Sequence, residues 1–84
     1  LKKVIMANHY FKDRDSYFKL ADETHEIVCV TTNFTNKCIA ISFIDDGGYE
    51  NMKSAYTDGA GEIISEELFN TKRDEVKDYI NENL

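Results

Sequence analysis

The chain has 84 residues, enough for one domain whose core is small relative to its surface. Hydrophobic residues make up 42% and charged residues 31%, a globular balance that excludes intrinsic disorder. The net charge of −6 is unevenly placed: residues 1–44 carry six basic and five acidic groups, net +1, whereas residues 45–84 carry four basic and eleven acidic, net −7.

A second half of that sign repels phosphate, so nucleic acid is not an expected partner, and a basic protein surface is. No apolar run approaches the roughly 20 residues of a membrane-spanning helix. Leu1-Lys2-Lys3 is followed by only four apolar residues before Asn8-His9, which does not read as a leader peptide, and a cytoplasmic location is expected. Two cysteines are too few to staple a mini-protein. Lysines outnumber arginines eight to two, which points to an A+T-rich bacterial or phage genome.

In chain order, residues 3–11, KVIMANHYF, are expected as a strand because Lys12-Asp13-Arg14-Asp15 reads as a polar turn. Ser16–Ala21 follows as the next strand, with Tyr17, Lys19 and Ala21 on one face and Phe18 and Leu20 on the other, core-facing one. After a turn at Asp22–Thr24 comes the strongest signal in the chain. Two β-branched runs, Glu26–Thr32 and Lys37–Ile44, flank the polar knot Asn33–Asn36 and predict a central β-hairpin.

The register of that hairpin is open. An odd sum of paired residue numbers gathers Val28 and Val30 with Ile39, Ile41 and Phe43, while an even sum gathers Ile27 and Cys29 with those three. At a sum of 67 Cys29 lies opposite Cys38, and at 69 the thiols are diagonal neighbours. Two free thiols acting as small hydrophobes are expected rather than a disulfide.

Asp45-Asp46-Gly47-Gly48 should end the strand, the glycines permitting positive φ. Tyr49–Tyr56 reads as one or two helical turns with Met52 and Tyr56 on one side. Thr57–Gly61 reads as a flexible break and Glu62–Ile64 as a short extended piece. Ser65 is the predicted N-cap of a helix from about Glu66 to Asn81, with Glu66 and Glu67 in the first turn, where the helix dipole favours negative charge. Phe69, Val76, Tyr79 and Ile80 share one helical face, with the stems of Lys72 and Arg73 covering the turn between them.

The predicted fold is therefore α+β, an antiparallel β-meander of about four strands packed on one face by a C-terminal α-helix. The other face is left partly open, with Tyr10, Tyr17, Tyr49 and Tyr56 as the residues to dress it.

No motif names a reaction. His25 and Cys29 are a base and a nucleophile by type, but four strand residues hold them roughly 13 Å apart. His9, His25, Cys29 and Cys38 are zinc-ligand types without the short Cys-x₂₋₄-Cys spacing. Tyr56–Glu67 matches an EF-hand loop at Asp58, Gly61, Ile63 and Glu67, yet Tyr56 and Ala60 stand where oxygen ligands are required. No phosphate loop follows Gly47-Gly48 or Gly59-Ala60-Gly61. Asn33-Phe34-Thr35 fits a glycosylation acceptor but reads as the hairpin turn. Tyr10, Phe11, Lys12, Arg14, Tyr17, Phe18 and Lys19 interleave aromatics and bases as a base-stacking face does, without the glycine-aromatic signature of RNA-binding sheets.

The expectation is contact without catalysis: no catalytic residue, no metal and no cofactor. The first reading is a small protein-binding module, of the kind a phage or mobile element uses as an accessory or inhibitor protein, whose acidic half docks on a basic surface. Its expected contact residues are Asp45, Asp46, Glu50, Asp74, Asp78, Tyr49 and Tyr56. The second is a homo-oligomeric structural subunit that self-associates through an exposed sheet face or edge. A deep cleft pairing an imidazole with a thiol or a carboxylate is the arrangement that would overturn both.

Overall fold

The structure, a computed structural model, describes residues 7–84. Four strands form a meander: β1 (Asn8–Asp13), β2 (Ser16–Ala21), β3 (Glu26–Asn33) and β4 (Asn36–Phe43). Then follow α1 (Asp46–Ala55), a wide π-type turn at Tyr56–Ala60, the short β5 (Glu62–Ile63) and α2 (Glu66–Glu82). Each strand pairs antiparallel with its neighbours, in the spatial order β4-β3-β2-β1-β5. The expected meander and C-terminal helix are both there, with β5 added beside β1. The expected strand at 3–11 corresponds to β1 from Asn8 onward, and its residues 3–6 lie outside the described residues.

The β3–β4 pairing sum is 69: Val28 faces Ile41 and Val30 faces Ile39. Period-two alternation then puts Val28, Val30, Ile39, Ile41 and Phe43 on one side and Ile27 and Cys29 on the other. Cys29 pairs with Ala40 and Cys38 with Thr31, so the two free thiols are diagonal neighbours.

Both faces of the sheet are covered, each by one helix. On one side Tyr17, Val28 and Val30 pack with Phe69 and Val76 of α2, and Tyr10, Ile39, Ile64 and Ile80 flank them. On the other, Phe11, Leu20 and Ile27 pack with Tyr49 of α1, joined by Phe18, Ile44, Met52 and Tyr56. The expected open tyrosine face is therefore corrected. Tyr17 and Tyr49 are core residues, because each sheet face offers an apolar row that a helix removes from water. The C-terminal helix covers the Tyr17 side, and α1 covers the Phe18/Leu20 side.

The helix starts follow from their caps. Asp45 Oδ1 accepts from the Gly48 amide at 2.7 Å, so α1 begins at Asp46 and takes in both glycines in helical conformation, where a strand-ending turn with positive φ was expected. Ser65 Oγ accepts from the Leu68 amide at 3.0 Å and starts α2 where predicted. Between them, Gly59 takes φ +112° and lets the π-type turn reverse into β5.

Candidate functional site

A polar hub links the sheet to α1. Asp22, just beyond β2, accepts hydrogen bonds from Tyr49 Oη at 2.7 Å, His9 Nε2 at 3.1 Å and Lys53 Nζ at 3.3 Å. The Ala7 amide donates to its second oxygen at 3.3 Å. Tyr49 and Lys53 lie four apart, on one face of α1, so a single helical turn delivers both donors. A second layer surrounds them: the His25 ring stacks on Tyr49 with centroids 4.7 Å apart, and His25 Nδ1 meets Asp46 at 3.0 Å. His25 takes φ +57° to reach that position.

These contacts set the charges. Burial pushes the Asp22 carboxyl up, but hydrogen bonds from Tyr49, His9, the Ala7 amide and Lys53 more than reverse this and hold it well below the usual carboxylate range. Burial and the Asp22 carboxylate both drive the Tyr49 phenol far above its ordinary value. For Lys53 burial works downward, and the bond to Asp22 overrides it and raises the ammonium. Asp22 is thus an ionised acceptor, which assigns the His9 proton to Nε2.

Beside the hub lies an open-sided cleft of about 570 Å³, to which His9, Lys53, Ser54, Thr57 and Asp58 contribute. His9 on the Asp22 carboxylate is an imidazole–carboxylate pair beside a cleft, the pairing set above against a contact role, but the cleft is open-sided rather than deep. Among the described residues His9 bonds only to Asp22, and no hydroxyl or thiol is hydrogen-bonded to it as a nucleophile. Asp22 spends its lone pairs on donors from β1 and α1, so its chemistry is that of a brace. Type-based sequence reasoning missed this cluster because its members are spread from His9 to Lys53. The one local signal was Tyr49 and Lys53 at helical spacing.

The other site types are dispersed. His9 and His25 bind separate aspartates while the cysteines lie on the hairpin, and among the described residues no group of three His, Cys, Asp or Glu gathers as metal ligands. In the EF-hand-like stretch Ser65 serves as a helix cap and Glu67 stands in the first turn of α2. The base-stacking face is occupied by α2, with Tyr17 buried and Tyr10 against Phe69, ring centroids 5.5 Å apart.

The expected contact residues do not form one patch. Asp45 caps α1, Asp46 meets His25 and Glu50 pairs with Lys53 at 3.4 Å, all on the α1 side of the sheet. Asp74, paired with Arg73 at 3.4 Å, and the exposed Asp78 lie on α2, which packs against the opposite face. Tyr49 is fully buried and is corrected from contact residue to core and hub. Tyr56 is half-buried against Phe11 and Phe18, with centroids 5.5 and 5.2 Å away.

Among the described residues, what the sheet does leave open is its β4 edge. β4 has eight residues, NKCIAISF, with no proline and one charge, Lys37. Ile41 is 61% and Phe43 66% exposed, although the sequence pattern places both on a core face. The reason is positional: Ile39 packs into the core beneath α2 while Ile41 and Phe43 do not, and among the described residues no strand lies beyond β4. Natural edges are usually guarded by charge, proline or a covering element. The opposite edge, β5, is only two residues long. Compared with family models, curated proteins and solved structures, the chain matches none.

Proposed function

We propose that this protein is a non-enzymatic interaction module that works by strand addition at β4, and that a second copy of itself is the partner this edge fits best. The observation carrying the reading is a long, nearly uncharged edge strand with two exposed apolar side chains on one face. Antiparallel self-pairing centred on Ala40 keeps every side chain on its own face, sets Ile39 against Ile41 of the copy, and places Lys37 against Phe43. No like charges meet in that register.

Sedimentation of the purified chain tests it. Wild type is expected as a dimer at micromolar concentration, and Phe43→Lys, which sets a second cation against Lys37 of the copy, as a monomer with an unchanged circular dichroism spectrum. A monomeric wild type at the highest soluble concentration defeats the reading.

A second reading has its own observation. Asp74, Asp78 and Glu82 recur every four residues on α2 and all are exposed, an acidic stripe suited to a basic protein surface, as an accessory or inhibitor protein imitating nucleic-acid charge requires. Neutralising Asp74 and Asp78 together should slow association with such a partner and flatten its salt dependence. Unchanged binding removes electrostatic docking.

A further inference from the structure

Beside α2, on the side of the sheet that helix covers, lies a groove of about 340 Å³, apart from the hub and sharing Ile39 and Ile41 with β4. Its floor is a cross-strand row, Lys19 on β2, Val28 on β3 and Ile41 on β4, set side by side by the sheet register. Its wall is one ridge of α2, Phe69, Arg73 and Lys77, spaced four residues apart. Its apolar lining is Ile39 and the exposed Ile41, lying beside the buried Val28 and Phe69.

The rim is cationic. Lys19, Arg73 and Lys77 all line the groove, against one acid, Glu26. Among the described residues neither Lys19 nor Lys77 has a carboxylate within salt-bridge distance, and Arg73 meets only its neighbour Asp74, through Nε at 3.4 Å. Three clustered cations beside an apolar row are unexpected in a chain of net charge −6, and among the described residues only Arg73 of the three has an acidic partner. The volume falls at the lower end of the range of about 300–1,000 Å³ for small-ligand pockets, too small for a folded partner element.

We infer that this groove binds a free single-chain amphiphile with an anionic head, a medium-chain carboxylate, its tail along Ile39 and Ile41 beside the buried Val28 and Phe69 and its carboxylate held by Arg73, Lys77 and Lys19. Arg73 supplies a planar fork suited to a carboxylate, and the lysines supply mobile point charges. The groove shares Ile39 and Ile41 with β4 but uses none of that strand's edge backbone groups, so the inference does not rest on strand pairing there.

Calorimetric titration with decanoate, decyltrimethylammonium and acetate, joined to amide shift mapping, tests it. Decanoate is expected to bind saturably at one site per chain and to shift the amides of Val28, Ile41, Phe69 and Arg73. Acetate, a head without a tail, and the cationic amphiphile, a tail with the wrong head, should not. Arg73→Gln with Lys77→Gln should weaken decanoate binding about tenfold or more. Because Lys77 is exposed, Lys77→Gln alone keeps the fold and should weaken binding in the same direction. Equal binding of the cationic amphiphile, wild-type affinity in the double variant, or shifts confined to the His9 cleft overturn the inference. So does co-sedimentation with phosphatidylglycerol vesicles when free decanoate does not bind, since that assigns the cations to a lipid surface.

Discussion

The phenol of Tyr49 reaches 2.7 Å from the carboxylate of Asp22, across 27 residues of sequence, and ties α1 to the end of β2. The ring is fully buried, so its hydroxyl has to find a partner inside the protein. Tyr49→Phe keeps the packing and removes the donor. The expected loss is about 1.5–3 kcal/mol, the range for a hydrogen bond to a charged group, read as a lower urea midpoint at constant slope.

The hub also sets the pH profile. Asp22 is held below its ordinary range, so its stabilisation is complete above the unfolded carboxyl value of about 3.9 and is lost as pH falls further toward the folded value. Tyr49 and Lys53 are both raised, so their contribution is complete below about pH 10 and is lost as pH climbs through their folded values. Urea midpoints should be level between these limbs and fall on either side. Asp22→Asn should lower the plateau and shrink the acid limb; an acid limb of wild-type size in that variant assigns the effect to other carboxylates.

The β1–β2 hairpin contains a correctable strain. Asp13 pairs with Ser16, leaving Arg14 and Asp15 as a two-residue loop, and Arg14 has φ +56°. Tight hairpins with positive φ at the first loop position favour glycine there. Arg14→Gly should raise stability by about 0.5 kcal/mol, the left-handed penalty relieved less the added chain entropy of glycine.

Gly61 is required for a different reason. Its φ of −137° suits any residue, but a Cβ there would lie 2.5 Å from Tyr56 Cδ1 and 3.0 Å from the Lys12 carbonyl oxygen. The Tyr56 ring, set against Phe11 and Phe18, has little room to yield. Gly61→Ala should cost about 1–3 kcal/mol by overpacking and weaken amide protection in β5.

Asp45 differs from Asp78 in having a structural partner. Its carboxylate caps α1, so Asp45→Ala should lower stability by about 1 kcal/mol, while Asp78→Ala at an exposed helix position should leave the urea midpoint nearly unchanged.

Local pattern was enough to locate β2, the β3–β4 hairpin and α2. Alternation with period two in Ser16–Ala21, β-branched runs either side of Asn33–Asn36 and a serine cap before Glu66-Glu67 each act within a few residues. The same short reach hid α1's true start, since Gly47-Gly48 resembles a turn until the Asp45 side chain bonds the Gly48 amide.

Only the tertiary structure decided which face meets which helix. Tyr17 and Phe18 are both apolar enough to be buried, and both are covered, from opposite sides, so composition could not rank them. It also decided that Ile41 and Phe43 meet solvent, because that depends on the order in which the strands pair and on which side chains α2 packs against, not on any residue of β4 itself. Asp22 looked like a turn residue because its donors come from positions 9, 49 and 53, distances along the chain that no local period can encode.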